Sequence, residues 1–441
     1  GILDPDVLFS ESNSKHKWQL AKDDVSPKEI FAFQKQGPTK RAIVASYCVQ
    51  DCALCHTIIN KLQIISNNKG MANVCYVPLS FIFLRGQGIK IFSLVSKECK
   101  DADTLIPVIK YSPEERKQSS VDGIIPYNFN NKFTPDDADE EATENDGGYE
   151  GAIVLKPKPG IYIKKPVTVL DYASLYPSSM ISENLSHDSL VIDDKYLGVD
   201  GIKELHKIGY THVDITHDVF KWKDPKIRSK GKVKIGTKTC RFAQPPDNEK
   251  SIIPKILMKL LKARKDTRKK IKTADTEFMK GVLDGLQLAY KLTANSLYGQ
   301  IGAMTSPINM KDIAASTTAV GRSLLNLAKT KTIERFPDAE IVYGDTDSIF
   351  INYNPMDDDG NELEGREALK KSIDMGVETE KYIKQFLKAP HNLEYEKTFS
   401  PFILFSKKRY IGNLYEFDLD SYKQKSMGIV LKRRDNADIV K

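Results

Sequence analysis

The chain has 441 residues, 40% of them apolar and 28% charged, enough for two to four cored domains and incompatible with a disordered polypeptide. Lys and Arg number 66 against 59 Asp and Glu, a net charge of +7 that suits a polyanionic partner without requiring one. No apolar run is expected to reach membrane-span length and no signal peptide opens the chain, so an intracellular protein with no membrane partner is predicted.

Taken in chain order, residues 1 to about 66 read as mostly helical, with Tyr47 and Asp51 one turn apart on a shared helix face. Cys48, Cys52 and Cys55 lack a second ligand pair at zinc-site spacing, so the six cysteines are read as buried free thiols in a reducing compartment. Residues 67–166 have mixed character, and Asp136–Asp146 gathers seven acidic residues in what reads as a solvated surface insertion. Tyr149-Glu150-Gly151-Ala152 then leads into a short strand. The apolar run Val167–Leu170 ends on Asp171 and is followed by Tyr172-Ala173-Ser174-Leu175-Tyr176-Pro177-Ser178, a strand end turning into a helix or loop. Residues 188–249, with their Lys-rich stretch, read as solvated charge and suggest no chemistry.

Two helices follow. Ser251 and Pro254 mark the start of the first, which carries Arg264 and Arg268 at i and i+4. On the second, Gln287, Lys291 and Asn295 recur every four residues and line one face, followed by Tyr298 and Gly299. Beyond a further helix, Tyr343-Gly344-Asp345-Thr346-Asp347-Ser348 places two carboxylates two residues apart at the tip of a β-hairpin. Standing alone, such a turn reads as a solvated hairpin tip more often than as a metal site. With Asp171 it supplies acids for two divalent ions about 3.5–4 Å apart, the arrangement used for in-line phosphoryl transfer. Lys407-Lys408-Arg409-Tyr410 follows an apolar strand, and Lys432, Arg433 and Arg434 add a last basic patch.

The order of these segments, SLYPS, then KxxxNSxYG, then YGDTDS, then KKRY, resembles the family B DNA polymerases, especially the replicative enzymes of large DNA viruses. The resemblance runs from about Tyr47 to the C-terminus. It implies an α+β fold, with a ferredoxin-like palm sheet and a two-helix fingers domain. Before these would stand the helical end of an RNase H-like 3′–5′ exonuclease domain, and a thumb would be absent. The implied boundaries are 1–66 for the exonuclease end, 67–249 for the first part of the palm, 250–303 for the fingers and 304–441 for the rest of the palm. A start at Gly1 and an end at Lys441 are read as those of an internal fragment that would not proofread.

The resemblance also implies roles. Asp171, Asp345 and Asp347 would be the catalytic metal ligands for two Mg²⁺ ions, helped by the Tyr172 carbonyl. Arg264, Arg268, Lys291 and Asn295 would meet the triphosphate of an incoming deoxynucleotide. Tyr176 would exclude a 2′-hydroxyl as a steric gate, and Tyr298 would stack on the nascent base pair. Lys407, Lys408, Arg409 and Tyr410 would grip the primer-template duplex, with Tyr149 and Gly151 near the template phosphates. Tyr47 and Asp51 would be an exonuclease remnant. Primer-template DNA, deoxynucleoside triphosphates, and a sliding clamp or accessory subunits are the implied partners, in the nucleus or cytoplasm of an infected host cell. A catalytically inactive DNA-binding scaffold and an RNA-synthesising palm enzyme are the rival readings.

Overall fold

A computed structural model describes residues 25–106, 146–224, 227–303 and 305–429. Most of the acidic insertion and the Lys432, Arg433, Arg434 patch lie outside the described residues. The chain divides into two compact units, one joining the segment up to Arg85 with Ala263–Tyr290, the other joining Gly86–Lys262 with Lys291 onward.

The first unit opens with α1 (Pro27–Lys35), whose start is fixed by a capping box in which Ser26 and Glu29 satisfy each other's backbone N–H groups. It continues through α2 (Pro38–Lys61), α3 (Ile64–Cys75) and α4 (Leu79–Leu84). Its remaining part comes from two long helices, α8 (Ile252–Lys272) and α9 (Glu277–Gly302). The small residues Gly281 and Gly285 let α9 lie against α3: a Cβ at Gly285 would stand 2.0 Å from Asn67 Oδ1.

Two expectations fail on α2. None of its residues is buried, so Cys48, Cys52 and Cys55 are exposed, and only Cys75, Cys99 and Cys240 are buried thiols. Its 24 residues also contain an 18-residue window of mean hydropathy 1.4, long and apolar enough to cross a membrane. That measure is met equally by helices that pack against protein.

In the second unit, α5 (Gln87–Asp101) buries Ile91, Leu94, Val95 and Cys99. The main body is a seven-stranded sheet ordered β10-β9-β8-β3-β7-β6, with β2 (Gly160–Tyr162) also paired to β8. Its strands are β3 (Val167–Tyr172), β6 (Glu340–Asp345), β7 (Ser348–Asn352), β8 (Leu393–Ser406), β9 (Arg409–Tyr415) and β10 (Lys423–Met427), and every pairing is antiparallel. β3 is nearly continuous in apolar character because both its faces are covered. Leu170 and Tyr172 share a core with Leu325 of α10 (Lys311–Arg335) and Ile383 of α11 (Gly365–Lys384). Val167 and Val169, on the opposite face, join Tyr343, Phe350, Phe399, Phe402 and Tyr410 in an aromatic cluster. By alternation Asp171 belongs to this second face, away from the helices.

The stretch between β3 and α8 has more structure than its charge suggested. It holds α6 (Leu175–Ser182), α7 (Gly198–Lys207) and a long hairpin of β4 (Thr211–Trp222) and β5 (Lys232–Gln244). This hairpin forms a separate three-stranded sheet with β1 (Asp146–Tyr149). Arg241, buried, donates from Nε and Nη2 to the two oxygens of Asp214 at 2.8 and 2.7 Å and from Nη1 to the carbonyls of Tyr196 and Gly198. The start of α8 is held differently from the expected Ser251 cap. The Asp188 carboxylate accepts from Ile252 N and Ser186 Oγ from Ile253 N, while the Ser251 hydroxyl accepts from Asn184. The segment after the first acid thus anchors this helix.

Candidate active site

Three backbone segments meet at the tip of the β6–β7 hairpin. Asp345 pairs with Ser348 to close the turn, and Asp347 N–H donates to the Asp345 carbonyl at 2.7 Å. This i to i+2 bond forces Thr346 to φ +62°, a conformation disfavoured for a β-branched residue. Neighbouring chain holds the strained turn from both sides. Leu155 N–H donates to Gly344 O at 2.9 Å and Thr346 N–H to Ile153 O at 3.1 Å, while Tyr172 N–H donates to Asp347 O at 2.8 Å. Gly344 leaves room there for Leu155, since a Cβ would lie 2.7 Å from Leu155 Cδ1 and displace that side chain.

Register brings the first acid to this point. Asp171 stands opposite Ser348 across the β3–β7 ladder, beside Asp347. Burial, then the Asp347 charge, push the Asp171 carboxyl up to about 7. Asp347 is likewise raised, by burial first and then by Asp345 and Glu396. Two partly buried carboxylates therefore oppose one another's ionisation, the signature of a site suited to added positive charge.

Asp345 sits differently. Both its oxygens accept from Lys408 Nζ, at 2.7 and 2.8 Å, and Tyr343 OH and Thr346 Oγ1 donate to it at 3.2 and 3.1 Å. Lys408 itself, at φ +59° in the two-residue β8–β9 turn, donates its backbone N–H to Tyr343 OH. Of the KKRY residues, Lys407 and Arg409 are exposed, Lys408 is tied to Asp345, and Tyr410 is buried in the aromatic cluster against Phe350, Phe399 and Phe402.

A tyrosine group borders the carboxylates. The Tyr176 ring lies 4.4 Å from that of Tyr298, and Tyr298 OH is 3.2 Å from Tyr149 OH. Burial, and after it Asp347, raise the Tyr176 phenol to about 12. Gly321 makes room for this ring, a Cβ there reaching within 3.1 Å of Tyr176 Cε1. The carbonyls of Glu150 and Gly151 each accept from Arg322 at 2.8 Å. Among the described residues nothing lies within 4 Å of a Cβ at Gly151, so none of them demands glycine there.

On α9, Lys291 and Asn295 are exposed, and the Lys291 charge acts on Asp171 in the direction that favours its ionised form. In the first unit, Arg264 Nε donates to Gln287 Oε1 at 3.2 Å and Arg268 is exposed. Tyr47 and Asp51 share a face of α2, half-buried.

Sequence reasoning missed Glu396, Lys397 and Arg322. Glu396 is the extra residue of a β-bulge: Leu170 pairs with Tyr395 and Val169 with Lys397. The bulge brings a third negative charge to bear on both Asp171 and Asp347. In sequence Leu393-Glu394-Tyr395-Glu396 reads as simple alternation, so nothing marks Glu396 apart from Glu394.

Comparison with known proteins matches residues 77–441 to the model of DNA polymerase family B. The chain is 52% identical over its whole length to a DNA polymerase of Pyramimonas orientalis virus, covering 37% of that protein. It is 39% identical over 85% of its length to a DNA polymerase of Phaeocystis pouchetii virus, covering 36%. It is 32% identical over 98% of its length to a DNA polymerase delta catalytic subunit of Arabidopsis thaliana, covering 34%. The chain thus spans about a third of the length of these relatives. By the match of most of its residues, the chain belongs to DNA polymerase family B.

Proposed function

We propose that this chain carries the polymerising centre of a DNA-templated DNA polymerase that extends a primer 3′ end with deoxynucleoside triphosphates. The observation that carries the reading is the opposed pair Asp171 and Asp347, fixed by register and by a clamped, strained turn, with Asp171 on the face of the sheet opposite α10 and α11. Their donor set is all oxygen, their charges repel, and Glu396 adds to the repulsion, which fits hard divalent cations of the Mg²⁺ kind. In this reading Asp171 and Asp347 would hold two such ions, with Asp345 assisting through its charge. Bound Mg²⁺ supplies Lewis-acid stabilisation of the transferring phosphoryl group and of the leaving pyrophosphate.

The chain's own groups would do the rest. Lys291 and Asn295, with Arg264 and Arg268, present fixed donors to the triphosphate, whose charge needs more than water to hold it in one pose. Tyr176, braced by Tyr298 and Gly321, walls off the space a 2′-hydroxyl would need and so selects deoxyribonucleotides. Tyr298 would stack on the nascent pair. Lys407 and Arg409 offer exposed charge to primer-template DNA. The Lys408 ammonium, bonded to Asp345, places the duplex grip and the third acid in one network.

In the same scheme the seven-stranded sheet with α10 and α11 is the ferredoxin-like palm, in two parts at 67–249 and 304–441. Residues 250–303 are the fingers, and Tyr47 and Asp51 on α2 belong to the end of a 3′–5′ exonuclease domain at 1–66. The viral relatives favour replication inside an infected cell. The test is Mg²⁺-dependent primer extension by the full-length enzyme, with Asp347→Ala beside it. Extension lost in the variant with DNA affinity kept supports the reading. Tight DNA binding with no extension by the unmutated enzyme overturns it in favour of a scaffold.

A further inference from the structure

A second cluster of ligand-type side chains lies on the β4–β5 hairpin, built from other residues than the carboxylates above. His217 on β4 pairs with Lys238 on β5, and Cys240 two residues on is its diagonal neighbour on the same face. Both are buried, with His217 Nε2 3.6 Å from Cys240 Sγ. Asp312, in the first turn of α10, completes the group, one ligand atom from each residue lying within 4.8 Å of the others. One turn further along α10, Ser316 Oγ is fully buried and lies beside the Cys240 thiol. Lys238 Nζ engages Oδ2 of Asp312 at 3.1 Å, and the carboxylate has a second oxygen to give.

We propose that His217, Cys240 and Asp312 bind one transition-metal dication of the zinc class, with the Ser316 hydroxyl facing the fourth position. One sulfur, one imidazole nitrogen and one carboxylate oxygen form a borderline-soft set that suits Zn²⁺ and suits Mg²⁺ or Ca²⁺ poorly. Thiolate and carboxylate together carry −2 against the ion's +2, and the one remaining positive charge is that of Lys238 on Asp312, part-exposed to solvent. On binding, the Cys240 S–H bond breaks, its proton leaves to solvent and a sulfur–metal bond forms, with no change of oxidation state. The ion would staple the hairpin to the N-terminal turn of α10. Sequence spacing hides the site because its three ligands come from three elements and only the hairpin register makes two of them neighbours.

The experiment uses the full-length enzyme carrying Cys48→Ser, Cys52→Ser and Cys55→Ser, so that the exposed thiols of α2 take no part. After chelation and dialysis, Co²⁺ is titrated in, and bound metal and sulfur-to-cobalt charge-transfer absorption are read. The expected result is a thiolate band that saturates with about one equivalent of Co²⁺, beyond any Co²⁺ held by Asp171 and Asp347, with the band and that equivalent lost in Cys240→Ala and reversed by Zn²⁺. No thiolate band in the parent, or a band that survives Cys240→Ala, overturns the proposal. Should Cys240→Ala fail to fold, Asp312→Asn decides: a fall in Co²⁺ affinity of about tenfold or more is expected, and an unchanged affinity refutes the site.

Discussion

Replacing Asp171 by Asn removes a charge while keeping shape, and the metal-free protein is expected to become more stable for it. The folded state holds the Asp171 proton up to about pH 7, against 3.8 for an unperturbed aspartate. Between those values the folded chain binds more protons than the unfolded one, so this group's contribution to stability is whole below the unfolded pKa and lost as pH rises toward 7. About three pH units at ~1.4 kcal/mol each bound the loss at about 4 kcal/mol. Partial exposure and the lost carboxylate contacts bring the expected gain to about 2 kcal/mol. At ~2.1 cal/mol/K of unfolding entropy per residue, a chain of 441 residues shifts by about 1 °C per kcal/mol, so Asp171→Asn should melt roughly 2 °C higher than wild type at pH 8 in chelator. The gain should shrink toward zero near pH 4. Excess Mg²⁺ at pH 8 should raise the melting temperature of wild type more than that of the variant, because only wild type keeps both acids. Calorimetric scans of both proteins at pH 5 and pH 8, with and without Mg²⁺, read all of this. A variant no more stable than wild type at pH 8, or equally stabilised at both pH values, would show that Asp171 and Asp347 do not oppose one another as described.

Lys407→Ala should reduce the slope of log affinity for duplex DNA against log salt by about 0.9. Lys408→Ala should reduce it by less than half as much, since its ammonium is held by Asp345; equal losses in a salt titration would refute this division. Tyr176→Ala in the full-length enzyme should raise ribonucleotide use relative to deoxyribonucleotide use by about tenfold or more in kcat/KM, and an unchanged ratio would remove Tyr176 as the gate. Gly344→Ala should cost about 1–3 kcal/mol by driving a methyl group into Leu155. A double-mutant cycle with Leu155→Ala should return a coupling of about 1 kcal/mol in denaturant melts; additive losses would place the cost elsewhere.

The sequence by itself carried what depends on local pattern. Apolar alternation with a Gly-Asp-Thr-Asp turn marks the β6–β7 hairpin, and four-residue spacing marks the face of α9 that holds Lys291 and Asn295. Motif order carried the family, which the match over residues 77–441 shows. The tertiary structure decided everything that depends on strand register and on what covers a surface. Asp171 and Asp347 lie 176 residues apart in sequence and meet only because β3 pairs with β7. Tyr410 looks like its charged neighbours in sequence, yet a one-residue step along a strand reverses its face and buries it. A bulge sets Glu396 against the acids, and the packing of α10 sets Asp312 against His217 and Cys240. The cysteines of α2 were misjudged for the converse reason: apolar composition gives a helix something to bury, but only a neighbour can bury it. Propensity and spacing are properties of a few residues, whereas electrostatic fields and burial are sums over chain segments that sequence distance does not order.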